Sequence, residues 1–176
     1  FPLEPIFPYY LTSGDVKENW CLGPLRANRT TEKTEGGANM LERFHVPDEI
    51  SVKVDHRMLG PLVTTLFERV GVPHEDAELA SDVLLTADLR GVDSHGVSNM
   101  LRSYIRGYRE NTINPNPKWV IERESKATAT VDCDGGLGVI IGPKAMDIAI
   151  SKAKDVGVGM VTMRNGGHMG MISYYA

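Results

Sequence analysis

Hydrophobic residues between positions 50 and 117 recur at the three- and four-residue spacing of amphipathic helices. The first stripe ends at Gly71, and its helix is expected to begin at Pro61, where a missing N–H costs nothing. A second helix is predicted over Pro73–Leu89, and a third ends before the breaker Asn114-Pro115-Asn116-Pro117. The apolar positions of the first and third helices are Met58, Leu59, Leu62, Val63, Leu66, Phe67 and Val70, then Leu101, Tyr104, Ile105 and Tyr108. Residues 50–117 are therefore predicted to form a helical N-terminal domain.

Beyond residue 118 the hydrophobic period changes. Residues 119–121 and 127–131 read as two strands, and Gly135-Gly136 leads into a further helix. Residues 157–163 are predicted to form a buried strand. The order strand, helix, strand favours a parallel βαβ crossover. We therefore expect residues 118–176 to be the first part of an α/β domain, in an α/β protein overall.

Residues 1–49 show neither helical nor strand periodicity and are expected to be an extended or disordered leader. The chain begins with Phe1 rather than Met, and it ends directly after a motif rich in glycine. Both observations lead us to expect a fragment.

Composition narrows the class of protein. The chain has 176 residues, 41% of them hydrophobic, which suffices for one globular domain or part of a larger one. A net charge of −4 argues against a nucleic-acid partner. No apolar run approaches the roughly 18 residues of a membrane span, and no signal peptide is evident. Cys21 and Cys133 are expected to be reduced thiols of a cytoplasmic protein, with a disulfide as the alternative.

The first candidate site is Asp93-Ser94-His95-Gly96, between two predicted helices. A histidine titrates near neutral pH and suits acid–base work when rigid elements hold its loop. Ser94 and Asp93 could fix its tautomer, and Gly96 permits a close approach by substrate or backbone. The plainer alternative is a helix cap with an incidental histidine.

The second candidate is Asn165-Gly166-Gly167-His168-Met169-Gly170, at the end of a predicted strand. Ligands of open α/β sheets bind at this edge. His168 could polarise a carbonyl or contact a nicotinamide ring, which the glycines would admit. The alternative is a glycine-rich turn with a structural histidine. Each histidine strengthens the functional interpretation of the other only if the two side chains lie close together in the folded chain.

Other features carry less information. The segment 132–138 resembles a phosphate-binding loop but lacks the G-x-G-x-x-G spacing, so it is expected to be a turn. Arg102, Arg106 and Arg109 are spaced to present guanidinium groups to a carboxylate, or to form a solvated helix face. No two histidines have the spacing of zinc ligands, and no metal is expected.

Three segments together resemble the malate/L-lactate dehydrogenase type 2 family: residues 87–98, Ile113-Asn114-Pro115, and residues 164–176. The resemblance runs from about Ile50 to the end and covers the N-terminal half of a family member. It implies a mixed-sheet, three-layer α/β/α domain distinct from the common Rossmann fold. It also implies a cytoplasmic homodimer that transfers a hydride between NAD or NADP and a small 2-ketoacid or 2-hydroxyacid.

The resemblance also implies roles for individual residues. His95 would donate or accept the proton, with Ser94 beside it in a relay, and His168 would be a second active-site histidine. Asn165 and Gly170 would contact the cofactor. Many family members carry an arginine four residues after the first histidine, which binds the substrate carboxylate. Asn99 occupies that position here, and Arg102 is the candidate substitute.

Two alternatives from other classes stay open. The first is a truncated, non-catalytic remnant or dimerisation module of the same family. The second is a metal-dependent hydrolase that uses Asp93, His95 and His168. Dependence on NADH or NADPH together with indifference to a chelator would separate the dehydrogenase from the hydrolase.

Overall fold

The computed structural model describes residues 9–12, 20–21 and 52–175. The helices among them are α1 His56–Glu68, α2 His74–Leu89, α3 Arg102–Arg109 and α4 Gly138–Val156. The strands are β1 Tyr9–Thr12, β2 Trp20–Cys21, β3 Val52–Asp55, β4 Val120–Glu124, β5 Thr128–Asp132 and β6 Met160–Arg164. Helices and a mixed sheet thus confirm the predicted α/β class. No helix in these ranges is long and apolar enough to cross a membrane.

Helix α1 begins earlier than predicted. The Asp55 carboxylate accepts a hydrogen bond of 2.9 Å from the Arg57 N–H, which caps the helix at His56. Pro61 therefore lies inside the helix and not at its first position, so the predicted start was wrong. A side-chain cap outweighs the preference of proline for the first turn. Gly71, at φ +92°, lies just beyond the C-terminal end of the helix, in agreement with the prediction.

Helix α2 packs against α1 and confirms the second prediction within one residue. The Ser81 hydroxyl donates to the Gly60 carbonyl at 3.1 Å across the contact between the two helices. Ala77, Ala80 and Ala87 are fully buried along this face. The third predicted helix exists as a wider π-helical turn, Val97–Leu101, that continues into α3.

The sheet of the C-terminal part has the order β4-β5-β6. Strands β4 and β5 are antiparallel, whereas β5 and β6 are parallel and joined through α4. This confirms the predicted βαβ unit and makes the sheet mixed. Among the described residues only α4 lies against the sheet, where Ile141 contacts Val131 and Cys133. The second helical layer of the α/β/α arrangement stays a prediction.

The expectation of a buried strand at residues 157–163 was wrong. Strand β6 lies at the edge of the sheet, and its residues are exposed or half-buried. Val161 and Met163 face the α4 side and are half-buried, whereas Met160 is 56% exposed. Apolar composition indicated burial, but no described element covers the other face of the sheet.

One core joins the helical part to the sheet part. Leu137, Val139 and Ile140, at the start of α4, belong to the same buried cluster as Phe67 and Leu84. An ion pair of 2.5 Å between Lys144 and Asp76 also links α4 to α2. The domain boundary near residue 117 stays a prediction, since packing crosses it.

Part of the predicted leader is strand. Strands β1 and β2 are antiparallel neighbours, and β1 is parallel to β3, so the order is β2-β1-β3. The other residues of the 1–49 segment lie outside the described ranges.

Candidate active site

The two candidate histidines meet. His95 ends a short 3-10 turn, Asp93–His95, after α2, and His168 lies in the loop that follows β6. Their imidazole rings are stacked, with centroids 5.3 Å apart and an interplanar angle of 22°. His95 is half-buried and His168 is exposed, so a ligand can reach the pair. The two motifs, which are distant in the sequence, therefore lie together in the folded chain.

Ser94 engages one nitrogen of His95. Its hydroxyl oxygen lies 2.8 Å from Nδ1 of the neighbouring ring. With Nδ1 occupied in this way, Nε2 is the nitrogen left to face a ligand. The hydroxyl can donate or accept, so it can pass a proton to or from the ring. This contact is the one the sequence interpretation expected between the two residues.

His168 is held from two sides at Nδ1. The backbone N–H of Gly170 donates to it at 3.1 Å, and the hydroxyl of Tyr104 lies 2.7 Å away. Burial of part of the ring, together with the nearby His95, lowers the pKa of His168. Sequence reasoning placed Tyr104 only on the inward face of a helix. No local motif marks a tyrosine whose partner comes from a distant loop.

The carboxyl group of Asp88 hydrogen-bonds to the backbone of the loop that carries His95. One carboxyl oxygen accepts the Val97 N–H at 2.8 Å, and the other has no hydrogen-bond partner among the described residues. The side chain is fully buried, which raises its pKa well above the ordinary value. Sequence reasoning missed this residue, since its last-turn position on α2 carries no signal of a buried carboxyl.

Gly96 is the point of contact between this carboxyl and the loop. A Cβ at Gly96 would lie 1.6 Å from Oδ1 of Asp88. The backbone there is extended, so glycine is required for space and not for its φ angle. The sequence predicted a close approach by substrate or backbone; the group that lies against Gly96 is instead the side-chain carboxyl of Asp88.

Asn99 and Arg102 are the predicted substrate-binding residues. The Asn99 amide donates to the Asp93 carbonyl at 2.7 Å and to the Ser98 hydroxyl at 3.3 Å, so its NH₂ group braces the His95 loop. Arg102 is exposed at the start of α3, and its guanidinium makes no ion pair or hydrogen bond within the described ranges. Their roles toward a carboxylate stay predictions.

Asn165 and Gly170 are the first and last residues of the second motif. Asn165 has a left-handed backbone at φ +51° and donates to Asp132 at 3.1 Å. Gly170 has φ +75°, and a Cβ there would lie 2.8 Å from Cγ1 of Val139. The intervening residues 166–168 are exposed. Exposed backbone therefore lies beside His168, and the contact of these residues with a nicotinamide stays a prediction.

The segment 132–138 is a turn, as expected, and it braces the second motif. The Gly135 N–H donates to the Asn165 carbonyl at 2.8 Å, and the Gly167 N–H donates to the Gly136 carbonyl at 2.8 Å. The N–H groups of Gly135 and Gly167 are therefore hydrogen-bonded within the protein and are not free to bind a phosphate. In the described part of the chain, no three His, Cys, Asp or Glu side chains are grouped so as to hold a metal ion.

Comparison with known proteins places these motifs in a larger context. The sequence profile of the malate/L-lactate dehydrogenase family matches residues 54–176. A malate dehydrogenase of Pyrococcus horikoshii is 42% identical over 137 residues, covering 78% of this chain and 38% of that protein. An L-sulfolactate dehydrogenase of Methanocaldococcus jannaschii is 46% identical over 115 residues, covering 65% and 33%.

The fold is similar as well. The solved structure of the Pyrococcus horikoshii malate dehydrogenase gives a TM-score of 0.67 at 42% identity, over 70% of this chain and 35% of that one. The chain thus spans about a third of the length of the relatives it matches, which is less than the half that was expected.

Proposed function

Because the chain belongs to the malate/L-lactate dehydrogenase family, we propose that it supplies the acid–base part of a dehydrogenase active site. The reaction is hydride transfer between NAD(P)H and the carbonyl carbon of a small 2-ketoacid. The observation that carries this proposal is the stacked pair of His95 and His168, which joins the two family-like motifs into one surface site.

The nicotinamide, when bound, supplies the hydride that forms the new C–H bond. The carbonyl oxygen then gains negative charge and needs a proton. His95, in its protonated form, stabilises that charge and gives up the proton to form the hydroxyl group. In the opposite direction, neutral His95 accepts the hydroxyl proton. The Ser94 hydroxyl, 2.8 Å from Nδ1, returns or removes the proton on the far side of the ring.

His168 has a different role in this proposal. Its Nδ1 is occupied by Tyr104 and Gly170, so its Nε2 faces the ligand. An imidazole nitrogen in that position can hydrogen-bond to a carbonyl or a carboxamide. The neighbouring residues Asn165 and Gly170 would border the nicotinamide end of NAD or NADP. Exposed glycine backbone at residues 166–167 supports this placement.

Substrate binding rests on Arg102 in this proposal. A 2-ketoacid carries a carboxylate, for which a guanidinium is the best protein partner. The Arg102 guanidinium has no ion-pair partner among the described residues, while the NH₂ group of Asn99 is already used at the Asp93 carbonyl. We therefore assign the carboxylate to Arg102. The Asn99 side-chain oxygen can only accept, so its proposed contact is with the hydroxyl group of a 2-hydroxyacid.

The proposal is tested by the oxidation of NADH and NADPH with a panel of small 2-ketoacids, followed by the absorbance of the reduced nicotinamide. The protein should be expressed from its complete gene and assayed with and without a chelator. Turnover that needs a reduced nicotinamide and ignores the chelator supports the dehydrogenase. A folded protein that oxidises neither cofactor with any ketoacid contradicts it, and a chelator-sensitive hydrolysis would favour the metal-dependent alternative.

A non-catalytic dimerisation module is the second candidate. It is favoured by exposed apolar residues on the sheet, among them Val120 and Met160, which are 54% and 56% exposed. The encoding DNA separates the two candidates. A reading frame that continues past Ala176 favours the enzyme, for which we propose a cytoplasmic homodimer, and a stop codon there favours the module.

A further inference from the structure

The environment of His168 defines which of its nitrogens carries hydrogen. The Gly170 backbone N–H, 3.1 Å from Nδ1, can only donate. This donor favours a lone pair on Nδ1, which places the hydrogen of a neutral ring on Nε2. A doubly protonated ring would direct an N–H at another N–H and lose this contact.

Tyr104 adds a second donor to the same nitrogen. Its hydroxyl lies 2.7 Å from Nδ1, and a nitrogen without hydrogen can only accept. The side chain is 3% exposed on α3, and this burial raises the pKa of Tyr104, so the phenol keeps its proton. The buried ring holds the hydroxyl in place, with its centroid 6.1 Å from that of His168.

Stacking makes the protonation of one ring matter to the other. The centroids of His95 and His168 are 5.3 Å apart, so two imidazolium charges there would repel each other. A ring held in the neutral state at position 168 leaves the single positive charge of the pair to His95. The hydrogen bonds of His168 alone therefore determine which of the two histidines carries the charge.

We propose that Tyr104 is a positioning residue which, together with the Gly170 N–H, holds His168 as the neutral Nε2–H tautomer. His168 then acts as a hydrogen-bond donor and His95 as the proton-transfer group. The catalytic part of this inference rests on the proposed dehydrogenase function. The tautomer itself does not, since it follows from contacts within the chain.

The chain offers a matched control on the same helix. Tyr108 lies one turn beyond Tyr104, is 5% exposed, and has a buried hydroxyl with no hydrogen-bond partner among the described residues. Tyr104→Phe and Tyr108→Phe each remove one buried hydroxyl and keep the ring. Only the first removes a donor to His168.

The experiment is ¹⁵N NMR of the histidine-labelled protein, with the His168 signals identified by their loss in His168→Gln. We expect Nδ1 to resonate as an unprotonated nitrogen and Nε2 as a protonated one in the unaltered protein and in Tyr108→Phe. Tyr104→Phe should show a mixture of tautomers. Its kcat should fall by about 2- to 10-fold, the effect of one hydrogen bond, at unchanged KM for the cofactor.

Two results would overturn the inference. One is a His168 that carries hydrogen on Nδ1 in the unaltered protein, which tests the idea even if Tyr104→Phe does not fold. The other is a Tyr104→Phe variant that keeps the pure Nε2–H tautomer and full kcat. A protein with the expected tautomer but no activity on any 2-ketoacid would contradict the proposed function and leave the tautomer assignment standing.

Discussion

The imidazole rings of His95 and His168 lie nearly parallel, 22° apart, with 5.3 Å between their centroids. One comes from the loop after α2, and the other from the loop after β6. The buried cluster that packs the start of α4 against α1 and α2 holds these two loops together. The site therefore depends on packing between the helical part and the sheet part.

Ser94→Ala should reduce kcat by about 2- to 10-fold, because His95 loses the hydrogen bond at Nδ1 that orients the ring. KM for the ketoacid should change little, since Ser94 is not expected to touch substrate. Steady-state kinetics of the variant gives both parameters. Ser103→Ala, at an exposed position on α3, is the control. Equal kcat values for the two variants would remove Ser94 from the relay.

Gly96→Ala should lower the free energy of unfolding by about 1–3 kcal/mol, the usual cost of overpacking. The new Cβ would overlap Oδ1 of Asp88, so the loop that carries His95 must move, and kcat should fall as well. Urea unfolding measures the stability. In the control Gly60→Ala, the Cβ meets only the end of Leu85 at 3.2 Å. A Gly96→Ala protein as stable and active as this control would contradict the packing described here.

Asp88 should make stability depend on pH. Burial raises the pKa of its carboxyl in the folded state above the unfolded value. Its contribution is thus fully present below the unfolded pKa and is lost as pH rises through the folded pKa. Asp88→Asn keeps a neutral group of the same shape and removes this loss. The stability of the variant relative to the original protein should therefore increase as pH rises above the ordinary pKa of an aspartic acid. A difference that is constant with pH would show that Asp88 is not protonated in the folded state.

The sequence predicted the elements better than their surroundings. The apolar stripe of α1 and the small residues of α2 follow from helical spacing, and the glycine at position 71 marks the end of α1. The start of α1 was missed, because a capping carboxylate at Asp55 competes with the preference of Pro61. Burial of β6 was overestimated, since composition reports how apolar a strand is but not what covers it.

In the candidate site, too, the sequence indicated individual residues better than the contacts between distant segments. His95, Ser94 and His168 were proposed from local motifs, and the structure places the three residues together. Tyr104 and Asp88 were not found as site residues. Each acts through a partner from another segment, namely His168 for Tyr104 and Val97 for Asp88. Only the folded chain brings those partners together.

The proton-transfer role of His95 is tested by the effect of His95→Ala on kcat for NAD(P)H-dependent ketoacid reduction, in the protein expressed from its complete gene. His74→Ala, at an exposed position on α2, is the control. We expect a loss of at least about 10²-fold for His95→Ala, the usual contribution of a general acid, and near-unaltered turnover for the control. Near-unaltered turnover by a folded His95→Ala protein would contradict the assignment of the proton-transfer step to His95.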